Sequence, residues 1–361
     1  MASKKCIKMA VVGFGLVGPR HAEAIMKNRG AELVCIVDPS PAAATLAEQF
    51  HCLIFQSVSA MLDSPSQPDA ALVCTPNHTH VAVAKELLEG GVDVLCEKPI
   101  SVDVESGQEL VECAYKHGRK LLIGHHRRFN RYVVTAKKHV QSLGQLIAVN
   151  GLWTIYKPMQ YFDPPTEWRR LNSAGPVFIN LIHDIDILHY LFGPITRVYA
   201  ERTLSQRKFD TEEGAAITLR FASGMVGSFI LSDAVVSPHN FECGTGENPT
   251  IPKVGKDFYR VFGSEGSLSI PDMIKWSYFG EEKSWNRELL AEKLEVPELD
   301  IPFELQIEHF VKVINEVEMP SCSGEEGLRA VAVCHAIKKS MEEGRPIEIV
   351  AKLAPVEEII R

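Results

Sequence analysis

Short apolar runs alternate with amphipathic stretches over the first 125 residues of the chain. Runs rich in Val, Ile and Leu predict strands, and the stretches between them show the spacing of helices. The predicted strands are Ile7–Val12, Glu32–Val37, Ala70–Cys74, Asp93–Cys96 and Lys120–Ile123, and the predicted helices are His21–Asn28, Pro41–Gln49, Val81–Glu89 and Val104–His117. Strands that alternate with helices form βαβ units, and strands that are mostly apolar have both faces covered. This part of the sequence therefore predicts an α/β domain with a doubly wound parallel sheet.

The pattern changes near residue 144, where strands follow one another with short, glycine-containing turns between them. The predicted strands are Gln145–Tyr156, Thr196–Thr203, Gly214–Phe221, Met225–Asp233, Phe258–Gly263, Ser267–Pro271 and Ile274–Phe279, and the predicted helices are Phe178–Leu191, Pro302–Glu316 and Gly327–Glu342. Strands this close in sequence pair mostly antiparallel. We therefore predict two domains, residues 1–125 and residues 126–361, the second being an α+β domain with a large open sheet.

The chain carries 38 Lys and Arg against 46 Asp and Glu, a formal net charge of −8. Nucleic-acid binding is not expected, because phosphate contacts usually need a basic face. The nine cysteines are odd in number and include no CxxC pair, which favours free thiols in a reducing compartment. No apolar run reaches the roughly 20 residues that cross a bilayer. We expect a cytoplasmic protein with a small polar substrate as its partner.

A G-x-G-x-x-G motif comes directly after the first predicted strand and before the first predicted helix. Its residues are Gly13, Phe14, Gly15, Leu16, Val17 and Gly18. The three glycines permit a tight turn, close approach of a pyrophosphate and close packing of the helix on the strand. The pyrophosphate would lie at the helix N-terminus, where free N–H groups and the helix dipole favour anions. The alternative is a glycine-rich turn without a ligand.

The second predicted strand ends beside Asp38, 20 residues after Gly18. An acidic side chain at this position binds the ribose hydroxyls of an adenosine and repels a 2′-phosphate. The sequence therefore favours NAD over NADP as the cofactor. Arg20 and Ser40 lie close enough in sequence to leave NADP open.

Two further strand ends are expected to line the same crevice, because ligands of open α/β sheets bind beyond the carboxyl ends of the strands. Thr75, Pro76, Asn77 and His80 follow one of these strands, and Glu97 and Lys98 follow the other. The ammonium of Lys98 could bind a substrate oxygen and favour its anionic form, which suits hydride removal from an alcohol carbon. A solvated surface lysine is the alternative.

The glycine loop, Thr75-Pro76-Asn77 and Glu97-Lys98-Pro99 come in the order and spacing of the Gfo/Idh/MocA family, the group of glucose–fructose oxidoreductase and inositol dehydrogenase. Three further segments resemble the family's interdomain crossover, catalytic helix and C-terminal helix: Gly124–Asn130, Gly175–Asp186 and Gly327–Pro346. The resemblance implies that Glu97 and Lys98 lie near the nicotinamide ribose and that Lys98 is a substrate ligand and proton-relay residue. It also implies that a C-terminal helix at about 327–342 packs back towards the Rossmann domain, and that the open sheet joins copies into a homodimer or homotetramer.

By the same resemblance, His183 is the general acid/base beside the substrate oxygen. The chain departs from the inositol dehydrogenase pattern four residues before His183, where that pattern has an Asp and this chain has Ile179. Asn180 lies three residues before His183, and both spacings fall on one face of an α-helix. An amide can hold a substrate hydroxyl but cannot relay a proton. From helix context alone, a packed or capping histidine is the alternative for His183.

Aromatic and basic side chains that suit sugar rings, carboxylates or phosphates form a further group of candidate substrate ligands. This group comprises Arg127, Trp153, Trp168 and Arg169, together with Asn180 and His183. Core and sheet packing is the alternative for the aromatic residues. Recognised zinc spacings are absent from the sequence, so no metal is expected.

These features together favour an NAD(P)-dependent dehydrogenase or reductase that acts on a sugar, polyol, cyclitol or related compound. Two other functions stay open on this fold. One is a glycosidase that retains NAD and oxidises its substrate transiently. The other is a non-catalytic regulator that senses dinucleotides.

Overall fold

The computed structural model describes residues 5–280 and 282–349. Contacts between residues divide the chain into two compact units. Within the described ranges, the first unit comprises residues 5–129 and 300–331, and the second comprises residues 130–299 and 332–349. The segment 300–331 thus belongs with the first unit, whereas the sequence-based division assigns everything after residue 125 to the second domain.

A parallel six-stranded sheet in the order β3-β2-β1-β4-β5-β6 forms the first unit. Its elements are β1 (Ile7–Val12), α1 (Gly18–Lys27), β2 (Ala31–Val37), α2 (Pro41–Ala47), β3 (Leu53–Phe55), α3 (Val58–Leu62), β4 (Ala70–Val73), α4 (His80–Glu89), β5 (Asp93–Cys96), α5 (Val104–Lys116) and β6 (Leu121–Ile123). The strand order reverses between β1 and β4, and the carboxyl ends of these two strands flank the crevice where such sheets bind ligands. The predicted doubly wound parallel sheet is confirmed; β3 and α3 are additions to it.

A nine-stranded sheet in the order β14-β13-β12-β11-β7-β10-β9-β8-β15 forms the second unit. Its elements are α6 (Arg131–His139), β7 (Leu146–Thr154), α7 (Ile182–Phe192), β8 (Ile195–Arg202), β9 (Gly214–Phe221), β10 (Val226–Ser232), α8 (Phe241–Thr245), β11 (Tyr259–Gly263), β12 (Ser267–Ile270), β13 (Ile274–Tyr278), β14 (Leu289–Lys293) and the C-terminal strand β15 (Ile347–Glu348). The strand pairs are antiparallel except for β7 and β10, which run parallel. The predicted, mostly antiparallel sheet is confirmed. Residues alternate between buried and exposed along β9, as in a sheet with one covered face.

Two long helices come late in the chain, α9 (Pro302–Ile314) and α10 (Gly324–Glu343). The buried side chains of α9, among them Ile307 and Phe310, join the core formed by β1 and α1. The start of α10 packs on β6, because a Cβ on Gly327 would lie only 2.5 Å from Ile123 Cγ1. Over the described residues, no helix combines the length and the apolar character that crossing a membrane requires.

Candidate functional site

The glycine loop lies between β1 and α1, and each of its three glycines has a different steric environment. Gly13 has a φ of +89°, and a Cβ there would lie 2.7 Å from the Thr75 amide nitrogen. A Cβ on Gly18 would lie 2.3 Å from the Gly13 carbonyl oxygen, so the helix can start this close to the loop only with glycine. A Cβ on Gly15 would meet no atom within 4 Å. Gly13 and Gly18 are thus required by the fold, whereas Gly15 faces open space.

The N-terminus of α1 has the features of an anion site. Val17 is the N-cap residue and supplies no side-chain cap to the first N–H groups of the helix. Leu16, beside Gly15, is 91% exposed. The uncapped helix end, the helix dipole and the open space at Gly15 together fit a dinucleotide pyrophosphate. This part of the chain fits the cofactor that the sequence predicts.

Asp38 lies at the end of β2, next to the same loop. Its Oδ2 accepts a hydrogen bond of 2.7 Å from the Phe14 amide, and its Oδ1 accepts one of 2.8 Å from the Ser40 amide. The two bonds fix the carboxylate beside the glycine loop, where the ribose of a bound dinucleotide is expected.

The segments that follow β4 and β5 are joined by the buried imidazole of His80. Its Nδ1 lies 2.7 Å from the Pro99 carbonyl oxygen, and its Nε2 lies 2.8 Å from the Thr75 carbonyl oxygen. The Lys98–Pro99 peptide bond is cis. Burial lowers the pKa of His80, and the two carbonyl contacts partly offset that effect. Both predicted strand-end segments therefore lie side by side, with His80 as the connection; Asn77 begins the short turn before α4.

Glu97 is buried at the end of β5 and pairs with His21 of α1. The distance between Glu97 Oε1 and His21 Nε2 is 2.7 Å. Burial alone would raise the pKa of Glu97, but the hydrogen bond from His21 and the positive charges of His21, His126 and Lys98 lower it to about 2. Glu97 is therefore ionised at neutral pH, immediately before Lys98. The sequence identified Glu97 but not its partner, although His21 lies three residues after Gly18, one turn into α1.

In the second unit, His183 is buried near the start of α7 and is preceded by a π-helical turn at Val177–Leu181. A π turn uses i→i+5 hydrogen bonds and frequently occurs at functional sites. The sequence argument for Ile179 and Asn180 assumed α-helical spacing before His183, and the π turn changes this spacing. Next to His183, the carboxylate of Asp184 accepts a hydrogen bond from the Tyr259 hydroxyl.

Asn180 leads to a residue that the sequence analysis missed, Lys157. The ammonium of Lys157 donates a hydrogen bond of 2.7 Å to Asn180 Oδ1 and lies 3.4 Å from Asp233 Oδ2. Burial lowers the pKa of this ammonium, while the charges of Asp233 and Glu242 offset part of the effect. Lys157 directly follows the predicted strand that ends at Tyr156, so the rule applied to Lys98, a charged residue at a strand end, could have found it.

The aromatic candidates occupy different environments in the second unit. Trp153 is 1% exposed, and its indole N–H donates to Glu242 Oε2 at 2.9 Å, so it is a core residue with a satisfied polar group. Trp168 is 48% exposed. The Arg169 guanidinium lies 3.9 Å from the centre of the Tyr161 ring and 5.6 Å from that of Trp168. The structure thus brings Arg169 and Trp168 together and places Trp153 in the core.

Arg127 belongs to the first unit, in the short 3₁₀ turn after β6, and is 5% exposed. This turn also contains His126, whose ring stacks on Phe303 of α9 with 4.5 Å between ring centres. The candidates thus fall into two groups. The glycine loop, Asp38, His80, Glu97, Lys98 and Arg127 belong to the first unit, and Trp153, Trp168, Arg169, Asn180 and His183 belong to the second.

Two protein-family models match the chain. The model described as an oxidoreductase family with an NAD-binding Rossmann fold matches residues 7–125. The model of the C-terminal alpha/beta domain of that family matches residues 137–349. The second match alone covers more than half of the chain, and the matched range includes Lys157 and His183.

Several proteins of known name are similar to the chain over nearly its full length. An inositol 2-dehydrogenase of Rhizobium meliloti is 24% identical over 347 residues, which are 95% of this chain and 99% of the relative. A myo-inositol 2-dehydrogenase of Thermotoga maritima is 25% identical over 360 residues, with 95% and 98% coverage. The crystal structure of the WlbA dehydrogenase from Bordetella pertussis, in complex with NADH and UDP-GlcNAcA, matches with a TM-score of 0.75 at 24% identity, covering 95% of this chain and 99% of that one. This structural match shows the same fold.

Proposed function

Because this chain belongs to the Gfo/Idh/MocA family of oxidoreductases, we propose that it transfers a hydride between a nicotinamide dinucleotide and a hydroxyl or carbonyl carbon of a sugar, polyol, cyclitol or related small polar substrate. Its family membership confirms the resemblance in the sequence. The observation that carries the proposal is the glycine loop, where Gly15 faces open space at the uncapped N-terminus of α1. The names of the two inositol dehydrogenases and the sugar nucleotide bound to WlbA support a substrate of this class.

The cofactor residues that we propose are Gly13–Gly18, Asp38, Thr75–Asn77, His80 and Glu97–Lys98. NAD is favoured over NADP, because the Asp38 carboxylate is fixed beside the loop and would repel a 2′-phosphate. The NADH in the WlbA complex is consistent with this preference. When bound, the nicotinamide supplies the hydride acceptor or donor.

Two residues carry the proton chemistry in this proposal. His183 takes the proton from the substrate hydroxyl during oxidation and returns it to the carbonyl oxygen during reduction, since an imidazole can act as both base and acid. Lys98 binds a substrate oxygen and stabilises negative charge on it. The ionised Glu97 next to it keeps the local charge balanced, since its pKa of about 2 leaves the carboxylate charged at neutral pH.

The test is a panel of inositols and sugars with NAD⁺ and with NADP⁺, in which absorbance at the reduced-nicotinamide band is followed. We expect reduction of NAD⁺ with at least one member. Lys98→Met and His183→Asn should each lower kcat by about 10²- to 10⁴-fold, and His183→Asn should retain NADH binding by calorimetry. No reduction across the panel, with NADH bound, would contradict the dehydrogenase proposal. Sugar release from glycosides without net reduction would indicate the glycosidase, and unchanged cellular function in both variants would indicate a regulator.

We also propose that copies of the chain associate through the exposed face of the nine-stranded sheet as a homodimer or homotetramer. Val226, Ala148 and Phe262 lie in one row across β10, β7 and β11, and Val226 and Phe262 are 46% and 42% exposed. An apolar row of this kind is typical of a contact surface. Light scattering should give a multimer for the wild type and a smaller species for Val226→Glu with Phe262→Glu. A wild-type monomer would contradict this proposal.

A further inference from the structure

Lys157 lies at the edge of the sheet where the parallel strands β7 and β10 both end. Its backbone N–H donates to the Asp233 carbonyl oxygen at 2.9 Å, which fixes the segment after β7 against the segment after β10. The residue is only 8% exposed. Lysines are rarely buried this deeply, because an ammonium that leaves water must be paired and hydrogen-bonded. The contacts of Lys157 should therefore explain why a lysine is there.

Asp233 has a second cation besides Lys157, Arg207, which also lies 3.7 Å from the buried carboxylate of Glu213. Arg207 approaches Asp233 Oδ1 to 2.7 Å and also donates to the backbone carbonyls of Asp233 and Lys157, at 2.6 and 2.9 Å. The Lys157 ammonium is farther from the carboxylate, at 3.4 Å. Its shortest contact is the 2.7 Å hydrogen bond to Asn180. The lysine is thus directed at the helix that carries His183.

Two aromatic side chains border the Lys157 ammonium beside its hydrogen bond to Asn180. The ammonium lies over two aromatic rings, 4.7 Å from the centre of Tyr161 and 5.3 Å from that of Trp153. Aromatic faces attract a cation but accept no conventional hydrogen bond. They confine the ammonium beside Asn180 and limit the directions in which it can donate.

The hydrogen bond fixes the orientation of the Asn180 amide. An ammonium has three donors and no acceptor, so only the amide oxygen of Asn180 can face it. The amide NH₂ group then points away from Lys157 and remains available as a donor. Asn180 belongs to the π turn and lies three residues before the proposed acid/base, His183.

We propose that Lys157 is a positioning residue that holds Asn180 as a hydrogen-bond donor to an oxygen of the substrate. This inference rests on the proposed function. The related inositol dehydrogenase pattern places an Asp near this point, and a carboxylate accepts hydrogen bonds from substrate hydroxyls. In this chain the lysine and the amide reverse the polarity, so the group that faces Asn180 is a substrate oxygen that accepts, as carbonyl, carboxylate and hydroxyl oxygens can.

The first experiment needs no substrate. With selectively ¹⁵N-labelled asparagine, the Asn180 side-chain signals are identified by their loss in Asn180→Ala. We expect two resolved amide proton signals in the wild type, and altered positions with faster exchange with water in Lys157→Met. The control is Lys275→Met, since Lys275 lies on β13 and has a carboxylate neighbour in Glu292. Unchanged Asn180 signals in Lys157→Met would overturn the inference.

The second experiment uses the substrate found in the panel of inositols and sugars. Lys157→Met and Asn180→Asp should each raise KM for that substrate about 10-fold, with a smaller effect on kcat and none on NADH affinity, which matches the loss of one uncharged hydrogen bond. Lys157→Arg, which keeps a donor, should restore most of the affinity. In a double-mutant cycle, adding Lys157→Met to Asn180→Ala should cause little further increase in KM.

Two outcomes would overturn the inference here: an unchanged KM in Asn180→Asp, or penalties of Lys157→Met and Asn180→Ala that multiply. Asn180→Asp also covers the case in which Lys157→Met does not fold, because it retains the lysine and gives it a charged partner. If the wild type oxidises nothing in the panel, the proposed function fails. The asparagine signals still decide whether Lys157 orients Asn180.

Discussion

Three glycine-to-alanine variants in the first unit separate the requirements of the fold from those of the cofactor. Gly15→Ala should leave the free energy of unfolding nearly unchanged, because its Cβ meets no atom within 4 Å. The same methyl group would occupy the space proposed for the pyrophosphate. We therefore expect NADH affinity to fall by at least about 10-fold, or about 1.4 kcal/mol.

Gly13→Ala and Gly118→Ala supply the contrast. Both glycines have positive φ, +89° and +61°, but an added Cβ contacts backbone atoms at 2.7 Å only at Gly13. The left-handed conformation costs an alanine about 1–2 kcal/mol, which is the expected loss for Gly118→Ala. Overpacking adds about 1–3 kcal/mol at Gly13, so Gly13→Ala should lose about 2–5 kcal/mol.

Urea unfolding gives the stabilities and calorimetry with NADH gives the affinities. Gly118→Ala should bind NADH as the wild type does, since its cost falls on stability alone. The reasoning is wrong if Gly15→Ala binds NADH with wild-type affinity, since the dinucleotide would then not lie against that residue. Equal stability losses for Gly13→Ala and Gly118→Ala would show that the close approach to Thr75 adds nothing.

Three further predictions concern buried polar groups. Glu97→Gln should make the free energy of unfolding less sensitive to acid. The folded pKa of Glu97, about 2, lies below the ordinary 4.5, so the stabilisation is complete above pH 4.5 and is lost as the pH falls towards 2. Between pH 7 and pH 2.5, the free energy of unfolding should therefore fall more in the wild type than in the variant. His80→Ala should cost about 1–3 kcal/mol in thermal or urea unfolding, because it removes the buried ring that lies between the carbonyls of Thr75 and Pro99 and donates its N–H to one of them; a loss under about 0.5 kcal/mol would contradict the proposed connection. Lys338→Met should cost about 3–5 kcal/mol, since Glu212 is fully buried and its Oε2 lies 2.5 Å from the lysine, and adding Glu212→Gln should recover much of the loss. A stable single variant with no gain from the second change would show that this pair is not needed.

The sequence predicted most of the sheet in the first unit because β1, β4 and β5 are nearly continuous apolar runs with turn signals at their ends. It missed β3, which has only three residues, none of them fully buried. It also missed β14, where all five residues are exposed, so no alternation of polar and apolar positions marks the strand. Edge strands of this kind are defined by pairing partners, which a local pattern does not contain.

The candidate site shows the same division between local and distant information. The spacing of Gly13, Gly15 and Gly18 is local, so the position of the loop between β1 and α1 could be predicted. The π turn before His183 and the bond from Lys157 to Asn180 depend on packing between segments that are distant in sequence. The cytoplasmic location stays a prediction.

The segment 300–331 has a consequence for how the chain is made. Ile307 and Phe310 of α9 complete the core around Met9 and Ile25, yet the ribosome adds them almost 300 residues after Met9. Until then, the nascent first unit exposes the apolar surface that α9 will cover, which favours association with chaperones. The dinucleotide-binding unit therefore reaches its final packing only after residues 130–299 of the second unit have been synthesised.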